Sequence, residues 1–171
     1  MEQRVMKRAI TTAIMLVAII ETLAQTRVKA DVIMSQNMGY QRLIALDVDS
    51  VTTYFVAFNG KVDVHDLLSV SKYGSGNTLD VWHGLSGGFL YTRGVWMLGD
   101  REEAVAKLGA IQATERSDSE YTFFNGWDFW IKPEMLGAWG IYAQNGRIGW
   151  ISSKAPKKYI KKIEEYEAGK E

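Results

Sequence analysis

Apolar and polar positions divide this chain into four stretches with different periods. Ala9–Ile20 (AITTAIMLVAII) is an unbroken uncharged run. It follows a basic start, Met1–Arg8, and precedes a polar exit, Glu21–Gln25, with the small-residue site Thr22-Leu23-Ala24. That order is the pattern of an export signal or a membrane anchor over residues 1–25. As a helix the run reaches about 18 Å, short of the ~30 Å hydrocarbon core of a bilayer. Beyond it, Leu43–Val48 (LIALDV) and Val51–Phe58 (VTTYFVAF) are rich in β-branched and aromatic residues and read as strands. Asn59-Gly60 predicts a type I′ turn with Val62–Val64 returning. Lys72–Asn77 (KYGSGN) is a break, and residues 26–77 form a first β-rich region.

A second β-rich region is expected over 78–155. Phe89–Leu98 reads as one or two strands. Asp100 caps a helix, with Glu103 as the other half of a capping box and Ala104, Leu108 and Ile111 at helical spacing. Two tight hairpins are predicted: Tyr121–Phe124 and Trp127–Ile131 about Asn125-Gly126, then Trp139–Ala143 and Arg147–Ile151 about Asn145-Gly146. A final helix occupies 156–171. Pro156 opens it, and Tyr159, Ile160, Ile163 and Tyr166 form its apolar stripe. The expected fold class is α+β with β dominant, an N-terminal apolar helix being followed by antiparallel hairpins.

Composition narrows the chemistry. Basic and acidic residues number 20 each, so no net field draws the chain to nucleic acid. Cysteine is absent, which removes disulfides, thiolate nucleophiles and cysteine-ligated metals. All six tryptophans lie beyond residue 81: Trp82, Trp96, Trp127, Trp130, Trp139 and Trp150. They are either packing or an exposed aromatic strip for a glycan or peptide.

Three family resemblances carry functional expectations. Trp139–Ile151 (WGIYAQNGRIGWI) resembles the end of bacterial SH3-like (SH3b) domains, with Leu90–Arg93 corresponding to their early strand. This implies an SH3-like barrel in the C-terminal half and a non-catalytic module that holds a cell-wall glycan or peptide, or an envelope protein, through aromatics. Trp139, Tyr142 and Trp150 carry over from the resemblance, and Trp127 and Trp130 join them as further candidate ligand-binding residues. On this reading the protein is exported to the periplasm, cell envelope or exterior. Membrane contact is confined to residues 9–24, and self-association is allowed. Arg8–Ile14 resembles the start of archaeal type IV pilins, which implies a filament subunit assembled through its N-terminal helix.

Leu43–Thr52 (LIALDVDSVT) resembles the first motif of haloacid-dehalogenase-like phosphatases. There Asp47 would be the nucleophile and Asp49 the acid/base beside magnesium, with Gly99-Asp100 as the metal-binding end motif. Read from the residues alone, Asp47 and Asp49 belong to a strand and the polar turn after it. Asp63, His65 and Asp66, and Asp80 with His83, bring imidazole near carboxylates but read as solvated loops. Gly84–Gly88 (GLSGG) reads as a turn. The leading expectation is a binding module with no catalytic residue, metal or cofactor.

Overall fold

The computed structural model describes residues 26–36, 41–78, 93–117 and 120–170. Nine strands and three α-helices form among them. The strands are β1 (Val28–Gln36), β2 (Gln41–Val48), β3 (Val51–Phe58), β4 (Gly76–Thr78), β5 (Arg93–Gly99), β6 (Thr122–Phe124), β7 (Phe129–Pro133), β8 (Ala138–Ala143) and β9 (Gly146–Ser152). The helices are α1 (Val64–Tyr73), α2 (Arg101–Ala113) and α3 (Ala155–Ala168). They build two antiparallel sheets, one in the order β1-β2-β3-β5-β4 and one in the order β6-β7-β8-β9.

This corrects the expected fold. The C-terminal half is not an SH3-like barrel: its four strands form an open meander, and among the described residues β6 does not pair with β9. Gly149 marks a close approach of β9 to its neighbour. A Cβ there would stand 2.3 Å from the Phe58 ring, so the glycine lets β9 press directly on the first sheet. The inner face of the second sheet is covered by that packing, so the sheet stacks on the first sheet instead of closing on itself. The expected N-terminal apolar helix concerns residues 1–25, which lie outside the described residues. No helix among the described residues is long and apolar enough to cross a membrane.

Continuous apolar runs in β2 and β3 are explained by burial on both faces. On one face Ile44, Leu46, Phe55, Ala57 and Val95 pack with Leu67 and Val70 of α1. On the other, Leu43, Tyr54, Val56, Phe58, Trp96 and Leu98 meet α2, α3 and the inner face of the second sheet in one core. β3 pairs with β5, so the first sheet draws strands from both sides of the 77/78 division.

Local signals act as physical chemistry requires, with instructive exceptions. Asp49-Ser50, not an Asn-Gly pair, makes the tight β2–β3 turn, with φ of 49° and 71°. The Asp49 carboxylate accepts from the Arg27 amide at 2.9 Å, and the Asp49 amide donates to the Arg27 carbonyl at 3.0 Å. Asn59 and Gly60 both have positive φ, yet they feed α1 instead of a returning strand. Asp63 and Asp66 cap α1 reciprocally. At α2 only half the expected box forms. Asp100 accepts from the Glu103 amide at 2.9 Å, while the Glu103 carboxylate turns to Lys107 at 2.8 Å.

The C-terminal helix is tied down at both ends. Near its start, the Tyr159 hydroxyl donates to Gln41 Oε1 at 2.9 Å, and Gln41 Nε2 donates to the Trp150 carbonyl at 2.6 Å. This buried chain links α3, β2 and β9 and satisfies a glutamine only 2 % exposed. At the other end, the Tyr166 hydroxyl stands 2.9 Å from Asp31 and 3.0 Å from Asp47, and Lys170 meets Asp47 at 3.0 Å. Burial would raise the Asp47 pKa, but bonds from Thr52, Lys170 and Tyr166 outweigh it and hold the carboxyl below its usual value.

Candidate functional site: the outer face of the second sheet

Alternation along the strands sends successive side chains of the second sheet to opposite faces. Phe129, Ile131, Trp139, Ile141 and Ile151 face the core. The intervening residues face away from it. Register aligns Phe123 with Trp130, Trp130 with Tyr142, and Tyr142 with Arg147, so one row crosses all four strands. Tyr121 stands beside this row with its ring 5.3 Å from Tyr142, edge-on.

These side chains line an open groove of about 570 Å³, bounded by Tyr121, Phe123, Trp130, Tyr142, Gly146 and Arg147. Its floor is flat. The Trp130 and Tyr142 planes differ by only 9°, with centroids 6.4 Å apart. Phe123 extends the floor at 6.1 Å from Trp130, tilted by 47°. Tyr121 and Phe123 are 54 % and 55 % exposed, well beyond what packing needs.

A polar rim surrounds the rings. Glu134 lies over Gly140, where a Cβ would meet its Oε1 at 2.5 Å. That oxygen accepts from the Tyr142 hydroxyl at 3.2 Å and faces Arg147 Nη2 at 3.6 Å. Lys132 holds its ammonium 5.0 Å from the Tyr121 ring centroid. Burial, reinforced by the Glu134 carboxylate, pushes the Tyr142 phenol up to about 12. The phenol therefore remains a donor across the physiological range.

The five candidate ligand-binding residues scatter around this face. Trp130 and Tyr142 line the groove. Trp139 is 4 % exposed on the inner face, with the Arg116 guanidinium 5.6 Å from its ring. Trp150 is half-buried and register sets it opposite Gly140, away from the groove lining. Trp127 lies in the β6–β7 turn, 6.4 Å from both Phe124 and Phe129, and packs against the core. Tyr121, Phe123 and Arg147 were not among the candidates. Their signal was present as strict alternation: Tyr121 and Phe123 flank Thr122, as Trp130 and Lys132 flank Ile131.

The other carboxylate constellations have separate local partners. Asp47 binds Thr52, Tyr166 and Lys170, Asp49 holds the Arg27 amide, and Asp100 caps α2. The strand carrying Asp47 is antiparallel to both neighbours and turns directly into β3. Asp63, His65 and Asp66 place one ligand atom each within 4.8 Å of one another, but both carboxylates are engaged in the α1 cap. Val62–Val64 had been expected to return as a strand; instead Asp63 caps α1, and His65 and Asp66 lie in its first turn. Asp80, His83 and Gly84–Gly88 lie outside the described residues. Comparison with family models, curated proteins and solved structures gives no match.

Proposed function

We propose that this chain is an exported, non-catalytic binding module that holds a glycan of the cell wall or exterior on the outer face of its second sheet. One observation carries the reading: a row of rings that no described segment covers, Phe123, Trp130 and Tyr142, crosses neighbouring strands and ends at Arg147. A pyranose presents an apolar C–H face and a polar rim. The C–H face stacks on an aromatic plane, while the equatorial hydroxyls reach sideways to donors and acceptors. Trp130 and Tyr142 supply two nearly parallel ring faces, and Glu134, Arg147 and the Tyr121 and Tyr142 hydroxyls supply the sideways contacts. The groove is open, so a sugar chain crosses it without threading.

The test is a screen of soluble wall polysaccharides and peptidoglycan fragments by calorimetry, with wild type and Trp130→Ala in parallel. Saturable binding by wild type and its loss in the variant are expected. Binding to stem peptides without sugar, or to no glycan at all, would overturn the reading.

A further inference from the structure

The β7–β8 connection carries a feature that sheet geometry does not demand. Met135 and Leu136 are 86 % and 101 % exposed. Leu136 also sits at φ 59°, ψ 28°, the left-handed region that disfavours a branched, Cβ-bearing residue. Asparagine or glycine would fit that position with less strain and better solvation. Here the chain instead holds two apolar side chains outward on a rigid turn. The Glu134 amide donates to the Ala138 carbonyl at 2.9 Å, and the Ser153 amide donates to the Gly137 carbonyl at 3.0 Å.

Several basic residues adjoin this turn. Arg116 donates to the Glu134 carbonyl and, at 3.1 Å, to the Ala138 carbonyl, which places a guanidinium at the base of the turn. The bond from Ser153 ties the turn to the segment that begins α3, where Lys154 follows directly and Lys157 and Lys158 lie in the helix's first turn. Lys154, Lys157 and Lys158 are exposed and enter no ion pair among the described residues. Of the acidic residues beside these groups in the chain, Glu115 precedes Arg116, and Glu134 points its carboxylate over Gly140 toward Tyr142 and Arg147. The chain as a whole is neutral, so this is a local concentration of positive charge.

We propose that the Met135–Leu136 turn is a membrane-docking tip that seats on an anionic phospholipid surface. The two side chains enter the headgroup–acyl boundary, while Arg116 and the lysines beside the turn meet lipid phosphates and carboxylates. Apolar tip and basic surround answer the two layers of such a surface in the order a protein meets them. Neither element suffices alone, because two side chains bury too little and exposed lysines are screened by salt. The aromatic groove takes no part in this contact.

The experiment uses the full chain with vesicles of phosphatidylcholine, alone and mixed with phosphatidylserine, read by co-sedimentation. The apolar N-terminal segment is common to every variant, so differences between variants report the tip. Binding to the mixed vesicles is expected to fall at least about tenfold in the double variant Met135→Ser with Leu136→Ser. It should fall about fivefold for each of Lys154→Gln and Lys157→Gln, and fall with added salt. Trp130→Ala should bind vesicles as wild type does, which separates this inference from the glycan reading. In a second measurement, Leu136→Trp should show a blue-shifted emission component with mixed vesicles only. Equal binding by all variants, no emission change, or a change in oligomeric state of the double variant without loss of vesicle binding would overturn the proposal.

Discussion

The two faces of the second sheet are built from the same strands and are comparably aromatic, yet they do opposite things. On the inner face Trp139 and Phe129 disappear into the core, with Trp96 5.2 Å from Phe129. On the outer face Trp130 lies nearly parallel to Tyr142, Phe123 tilts against Trp130, and the three rings line the open groove. Hydrophobicity does not distinguish them. What differs is the partner: the first sheet and α3 cover one face, and no described segment closes the groove on the other. An aromatic residue is therefore structural or available according to which neighbour its strand position reaches. The inner face contributes to stability, and the outer face is left for the recognition proposed above.

The largest test of that division is a pair of matched truncations. Trp139→Ala empties a core site and should cost about 3–5 kcal/mol. Trp130→Ala removes a ring of the same kind from the outer face and should cost less than about 1 kcal/mol. Chemical denaturation of both variants checks this. Equal losses would mean that the outer row is itself a structural element, and the comparison would fail.

Gly149→Ala probes the contact between the sheets. Its Cβ would press into the Phe58 ring, and Phe58 is only 2 % exposed, so the ring has little room to retreat. A loss of about 1–3 kcal/mol is expected. Phe58→Leu in the same chain should recover part of it, giving a non-zero coupling in a double-mutant cycle. Additive losses would show that β9 does not press on β3 as described.

Ligand binding sharpens the comparison from the other side. Trp130→Ala should weaken glycan binding by about 2 kcal/mol, roughly 30-fold, as expected for a central aromatic anchor. Phe123→Ala, at the tilted end of the row, should cost less. Trp150→Ala should leave affinity unchanged, since that ring does not line the groove. A larger effect from Trp150 than from Trp130 would move the site off this row.

How much of this was legible in the sequence depends on the range of the signal. Asp100 caps a helix and Pro156 opens one because both act within a single turn of chain. The Trp139–Ile151 hairpin forms, although its loop is Gln144-Asn145 and Gly146, at φ 103°, already begins β9. Asn59-Gly60 adopts the expected left-handed pair but leads into α1. A turn signal fixes local φ and does not choose between helix and strand for the next element. The Asn125-Gly126 loop is four residues long, which puts Trp127 in the turn and out of the strand. The barrel expectation failed for the same reason. Local spacing in Trp139–Ile151 specifies a hairpin, whereas closure or stacking is decided by Phe58, more than eighty residues away in the chain. Face assignment was within reach for Tyr121 and Phe123 through alternation. For Trp139 against Trp130 it was not, because only the partner sheet shows which side is inner.

The smallest expected effect concerns the phenols on the two faces. Tyr142 lies in the open groove and is raised from 10.0 to about 12, by burial first and then by Glu134. Tyr159, on the inner side, is raised further by burial alone. In both cases the fold favours the neutral phenol. The resulting stability is fully present below the ordinary tyrosine value and is lost as pH rises through the folded one. Followed by phenolate absorbance, Tyr142 should titrate near pH 12 while the fold persists, and Tyr159 should ionise only with unfolding. Glu134→Gln should move the Tyr142 transition downward but not to the ordinary value, because burial remains. It should leave the Tyr159 transition unchanged. If the Glu134→Gln curve overlays wild type, the carboxylate does not reach the phenol, and the polar rim assigned to the outer face loses its best-defined contact.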